Sequence, residues 1–142
     1  FDDVSDFKKT EYYQQWNNFL NSEKIKETLE KHDLQMIFYP HRNMQKYLKE
    51  FHPKSDRITI ADWRKYDVQG LLKESAFLIT DLSKRDGFGP VCEKLEEVEQ
   101  ELEKAAANQL QNDVEYLRRE EAFFPLWDSD NCKRNYEAIK EI

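Results

Sequence analysis

Three short apolar runs, each closing on a polar residue, constrain this chain most: Met36-Ile-Phe-Tyr-Pro-His41, Ile58-Thr-Ile-Ala-Asp62 and Ala76-Phe-Leu-Ile-Thr-Asp81. Runs of this length bounded by turn residues suit strands buried on both faces. In an open parallel sheet, ligands bind in the crevice beyond the carboxyl ends of the strands. A histidine and two aspartates at those ends would therefore share one edge of one sheet.

The intervening residues supply the helices that such a sheet needs. Met44, Tyr47, Leu48 and Phe51 recur at helical spacing after the first run, and Val68, Leu71 and Leu72 do so after the second. The order is βαβαβ over 34–81, which predicts a parallel sheet covered on both faces and joined by right-handed crossovers. His52-Pro53 and Lys54-Ser55-Asp56 close the first crossover, because the residue before a proline is pushed out of the helical region. Ahead of the sheet, Tyr12, Trp16, Phe19, Leu20, Ile25 and Leu29 predict a helix pair over 10–30, broken at Asn21-Ser22, with Ser22 capping the second helix. Behind it, residues 93–142 read as three helices. Their stripes are Leu95, Val98, Leu102 and Ala105, then Leu110, Val114 and Leu117, then Cys132, Tyr136 and Ile139. Phe123-Phe-Pro-Leu-Trp127 forms an apolar loop between the last two, and Ser129 or Asp130 caps the final helix. The glutamate-rich run Glu93 to Glu103 reads as a solvated helix face. The expected architecture is a single α/β domain over 1–142.

Bulk properties exclude several functions. A chain of 142 residues with 39% hydrophobic content can bury a real core. Twenty-two basic against 29 acidic residues give a net charge of -7, which opposes attraction to a phosphate backbone, so nucleic acid is not an expected partner. An anionic ligand would have to be held by local groups. Cys92 and Cys132 have no metal-ligand spacing and read as reduced, half-buried thiols, and no metal site is expected. No apolar stretch reaches the roughly 20 residues of a membrane-spanning helix, and no signal peptide opens the chain. Because it begins with Phe1 rather than Met, the sequence reads as a fragment, so a targeting or membrane-facing part can lie outside it.

Candidate chemistry lies at the strand ends. His41 can hydrogen-bond a phosphate oxygen or transfer a proton near neutral pH, and Arg42 beside it can pair with phosphate. Thr80, Asp81 and Ser83 end the third run, where a hydroxyl and a following helix N-terminus would meet a pyrophosphate. That helix does not follow, because Lys84-Arg-Asp-Gly-Phe-Gly-Pro90 reads as a loop, and Gly87-Phe88-Gly89 by itself is a turn.

Taken in order, Phe38-Tyr-Pro-His41, Ile60-Ala-Asp62, Tyr66-Asp-Val-Gln69 with Leu71-Leu-Lys-Glu-Ser75, Leu78-Ile-Thr-Asp81, Asp86-Gly-Phe-Gly-Pro90, Phe123-Phe-Pro-Leu126 and Asn131-Cys-Lys-Arg-Asn-Tyr-Glu-Ala-Ile139 resemble successive blocks of the CDP-glycerol glycerophosphotransferase family, the teichoic-acid alditol-phosphate polymerases and primases. The likeness covers nearly the whole chain. It implies a Rossmann-like parallel sheet forming the C-terminal half of a GT-B enzyme. That half would bind CDP-glycerol or CDP-ribitol as donor substrate, with no other cofactor. A polymer or lipid-linked acceptor would be engaged through an N-terminal half absent here, with the full-length protein peripheral at the inner face of the bacterial cell membrane. By the same resemblance His41 is the catalytic histidine that meets the donor phosphates, and Asp81 with Ser83 begins the Asp-Tyr-Ser-Ser block; Arg42, Asp62 and Thr80 complete the expected substrate contacts. The chain departs from the pattern at Leu82 and Lys84, where the family has an aromatic and a second serine, and lacks the helix and strand that should precede Asp86. Two readings of the 83/84 junction stay open: a genuine deletion, or a closed-up gap. The alternative function is a non-catalytic relic or interaction domain of the same fold. A helical adaptor built on the Glu93 to Glu121 helices rests on amphipathicity alone, which core packing explains as well.

Overall fold

The computed structural model describes residues 3–80, 90–111, 113–123, 133, 136 and 137. Its chain order is α1 (Val4–Lys8), α2 (Glu11–Leu20), α3 (Glu23–Lys31), β1 (Met36–Phe38), a 3-10 helix (Arg42–Glu50), β2 (Ile58–Ile60), α4 (Val68–Glu74), α5 (Leu95–Ala107) and α6 (Val114–Phe123). The described protein is thus mostly helical around a small parallel sheet.

Local chemistry sets the helix boundaries. Thr10 and Ser22 cap α2 and α3, their hydroxyls accepting the backbone N–H of Tyr13 and Ile25 at 3.2 Å each. α3 ends without a glycine: Asp33 takes a φ of 52°, Leu34 N–H reaches back to Leu29 O at 2.9 Å, and Asp33 N–H to Glu30 O at 3.4 Å. This is the paired bonding of a Schellman motif. α5 ends the same way at Gln109 and Leu110, with φ of 56° and 58°. Leu110 therefore belongs to the stop of α5 and not to the stripe expected of the next helix. Of that stripe, Val114 and Leu117 are exposed on α6. The expected last helix and the 123–127 loop fall largely outside the described residues, although 133, 136 and 137 are helical.

β1 and β2 pair in parallel with Met36 opposite Ile58, Ile37 opposite Thr59 and Phe38 opposite Ile60. The ladder runs on through Met36 N–H to Arg57 O at 2.8 Å and Ala61 N–H to Phe38 O at 2.9 Å. Phe38 and Ile58 are buried on one face, whereas Ile37 and Thr59 on the other are exposed. The sheet is therefore covered on one face among the described residues, not on both as its apolar runs suggest. The third expected strand does not form either: residues 76–80 join no ladder. They do keep a strand's alternation, with Phe77 and Ile79 packed on the core and Leu78 and Thr80 outward. Side-chain period survives where backbone pairing does not, because the period reflects burial and the ladder requires a neighbour.

The first crossover is a 3-10 helix of nine residues rather than the α-helix expected from Met44, Tyr47, Leu48 and Phe51. Its three-residue turn puts Asn43, Lys46 and Lys49 along one exposed row, with Gln45, Tyr47 and Phe51 buried opposite. Helix α1 was not expected from periodicity, yet its Phe7 is the centre of the core. That ring stacks on Tyr47 at 4.1 Å and meets Tyr13 and Phe51 edge-on at 5.2 and 6.0 Å. Trp16 and Phe38 extend the cluster toward the sheet at 5.0 Å, and such pairs add to simple area burial.

α5 closes the core with Leu102 and Ala106, and Leu95 and Val98 pack beside them. The glutamate run is not wholly solvated. Glu99 accepts from Ser22 Oγ, and Glu103 accepts from Thr28 Oγ1 at 2.9 Å, from Lys31 and from His32 Nε2 at 3.2 Å, so two of the run's six glutamates form a polar seam onto α3.

Candidate functional site

The two parallel strands end side by side, and the residues that follow them make a shallow groove of about 450 Å³ lined by Tyr39 after β1 and by Trp63 to Val68 after β2. This is the end of a parallel sheet at which ligands collect. Three of its lining residues are aromatic and two are cationic, in a chain whose net charge is -7.

His41 lies just past β1 as the N-cap of the 3-10 helix, with its imidazole exposed and Nδ1 accepting the Asn43 N–H at 3.3 Å. An accepting Nδ1 puts the proton on Nε2, which leaves an outward N–H donor. The next residue, Arg42, carries its guanidinium over the Trp63 ring, 5.5 Å from the centroid. This contact links the loop after β1 to the loop after β2.

Asp62 is bound to Arg64 through a two-oxygen contact: Oδ1 accepts from Nε at 3.1 Å and Oδ2 from Nη2 at 3.2 Å, while Oδ1 also accepts the Arg64 N–H at 2.9 Å. These bonds hold the Asp62 carboxyl below the usual carboxylate range and push the Arg64 pKa up. The carboxylate thereby holds the Arg64 guanidinium, and Arg64 lines the groove. Asp67 is likewise occupied, since its oxygens accept from the Gln69 and Gly70 N–H groups at 3.3 and 2.9 Å and cap α4. A Cβ at position 70 would sit 3.2 Å from that same Asp67 oxygen, so the glycine gives the cap its room.

Thr80 is exposed at the end of the extended segment 76–80. Asp81 and Ser83, with the 83/84 junction, lie outside the described residues. The structure therefore brings His41, Arg42 and Asp62 to one end of the sheet. It also adds Tyr39, Trp63, Arg64, Lys65 and Tyr66, which the sequence reading passed over. Their signal was legible as Trp63-Arg-Lys-Tyr66, basic residues flanked by aromatics directly after a strand. Cys92 is half-buried, with its thiol pKa raised by burial. Among the described residues no group of three His, Cys, Asp or Glu side chains converges as a metal ion would need.

What the fold and groove define is a small α/β unit with an aromatic, cationic cleft at its strand ends. Comparison with known proteins finds the minor teichoic acid biosynthesis protein GgaB of Bacillus subtilis (strain 168), 26% identical over 167 aligned positions that take in 96% of this chain and 18% of the relative. The chain is thus a distant homologue of a bacterial teichoic acid biosynthesis protein and spans less than a fifth of that protein's length. The alignment is longer than the chain itself, so the relative carries residues with no counterpart here. No family model matches the chain, and no solved structure matches it.

Proposed function

We propose that this chain is the donor-binding part of a CDP-alditol alditol-phosphotransferase, a CDP-glycerol or CDP-ribitol enzyme of teichoic acid or related cell-surface polymer synthesis. The observation that carries the reading is the groove beyond the two parallel strands, with aromatic faces for a base and cationic groups for phosphates in an acidic molecule. The teichoic acid relative supports it independently.

The chemistry is attack of an acceptor hydroxyl oxygen on the donor phosphorus that bears the alditol. A P–O bond forms there, the P–O bond to the cytidine monophosphate breaks, CMP leaves, and the hydroxyl proton passes to a base of the acceptor half. Catalysis of such a step is mainly positioning and charge stabilisation. His41 offers its Nε2 proton to a donor phosphate oxygen or to the departing CMP. Arg42 and Lys65 balance the diphosphate charge, and Asp62 serves by holding Arg64. Trp63 or Tyr66 provides the platform for the cytosine. Thr80, Asp81 and Ser83 are the remaining proposed donor contacts, and the donor domain spans 1–142. The acceptor would reach the site from an N-terminal half, at the cytoplasmic face of the membrane. Among the described residues no helix is long and apolar enough to cross one.

The test is transfer from CDP-glycerol by the longer parent enzyme. His41→Ala should lower it by about 10²-fold or more, the usual effect of removing one charge-stabilising donor, with the melting curve unchanged. Unchanged transfer would remove His41 from the mechanism. The 142-residue chain alone should transfer nothing and bind CDP weakly.

A second reading, a non-catalytic relic or interaction module, is favoured by a sheet that, among the described residues, has two strands and one open face. It predicts that CDP leaves the groove residues unperturbed at any concentration.

A further inference from the structure

We infer that Gln45 is a positioning residue that fixes the distance between the two loops forming the groove. Its side chain is buried, 7% exposed, in the otherwise apolar face of the 3-10 helix, where burying an amide is costly unless its polar atoms are bonded. All the bonds it makes go to the two loops. Nε2 donates to Pro40 O at 2.9 Å and to Ala61 O at 3.3 Å, and Oε1 accepts the Trp63 N–H at 3.0 Å. Pro40 immediately precedes His41 and Arg42; Ala61 and Trp63 bracket Asp62. One rigid amide therefore ties the backbone carrying the proposed phosphate contacts to the backbone carrying the proposed base platform.

The chemistry fixes the orientation of the amide. Two carbonyl oxygens require the NH2 end, and one N–H requires the oxygen. A hydrocarbon of the same length satisfies none of the three. A carboxylate would satisfy Trp63 and repel both carbonyls. The ladder hydrogen bonds stop at Ala61 N–H, one residue short of Asp62, so beyond that point, among the described residues, Gln45 and the Arg42 to Trp63 contact span the two loops. A binding site loosened by about 1 Å commonly loses much of its function.

The identity of the ligand rests on the donor reading above, whereas the coupling of the loops does not, and the experiment separates them. Amide exchange and CDP titration are followed by NMR on the full 142-residue chain. In the wild type the Trp63 N–H and the Gln45 side-chain NH2 should be protected. Exchange of both at the rate of an open loop would overturn the inference without any variant having to fold. In Gln45→Met, exchange at Trp63 should rise about tenfold or more while the Phe7 amide in the core stays protected. CDP should then perturb the Tyr39, His41, Arg42 and 63–68 amides with an affinity lowered about tenfold to a hundredfold. Wild-type CDP affinity in that variant, or unchanged Trp63 exchange, overturns the positioning role. If CDP perturbs neither loop even in the wild type, the donor reading falls, and Gln45 is then judged on the exchange result alone.

Discussion

At the scale of single residues, two aromatic side chains take opposite roles that their types alone do not reveal. Phe7 is wholly buried between Tyr47, Tyr13 and Phe51, whereas Trp63 is about half exposed under the Arg42 guanidinium. Phe7→Ala should therefore cost about 3–5 kcal/mol of stability, the usual loss for a buried phenylalanine. Urea denaturation checks this, and a loss under 1 kcal/mol would mean that α1 does not seal the core. Trp63→Ala should leave stability nearly unchanged and weaken CDP binding by about 1–3 kcal/mol, the range for loss of a base-stacking ring. Titration of the variant against the wild type gives that number, and equal affinities would take the base platform away from Trp63. Sequence placed His41, Arg42 and Asp62 at strand ends because strand ends can be read from runs of apolar residues. It could not show that Asp62 is committed to Arg64, because that pairing depends on the turn after Ala61 bringing the guanidinium back onto its own neighbour.

Among the elements, the packing of α5 on α3 carries a pH dependence with a definite sign. The Lys31 ammonium first, then His32 and Thr28, hold the Glu103 carboxyl down to about 2 against its ordinary 4.5. A carboxyl depressed by folding stabilises the fold fully above the unfolded value, and that contribution is lost as pH falls from about 4.5 through about 2. Melting temperature should drop through this window. Glu103→Gln should start lower at neutral pH and flatten the drop, and a variant with the wild-type pH profile would show that the seam contributes nothing. The helix α5 itself was legible, since Leu95, Val98 and Leu102 recur at helical spacing. That Glu99 and Glu103 face α3 was not, because a charged residue reads as solvated until a partner helix supplies Ser22, Thr28 and Lys31. Similarly, Asp33 and Gln109 stop their helices in a conformation usually taken by glycine, so neither stop carried a composition signal.

At the scale of the whole molecule, the chain departs from the resembled pattern after Ser83, and the relative carries residues with no counterpart in these 142. The sequence by itself determined the helices flanking a small parallel sheet, the cap at Ser22, and the clustering of polar residues where two strands end. All of these follow from local periodicity and hydrogen bonding within a few residues. Only the tertiary structure decided that two of three apolar runs pair, that Phe7 anchors the core, and that Gln45 ties together the loops of the groove. Each of those depends on contacts between residues distant in the chain, and an apolar run or a buried amide has the same local signature whether or not such a partner is present.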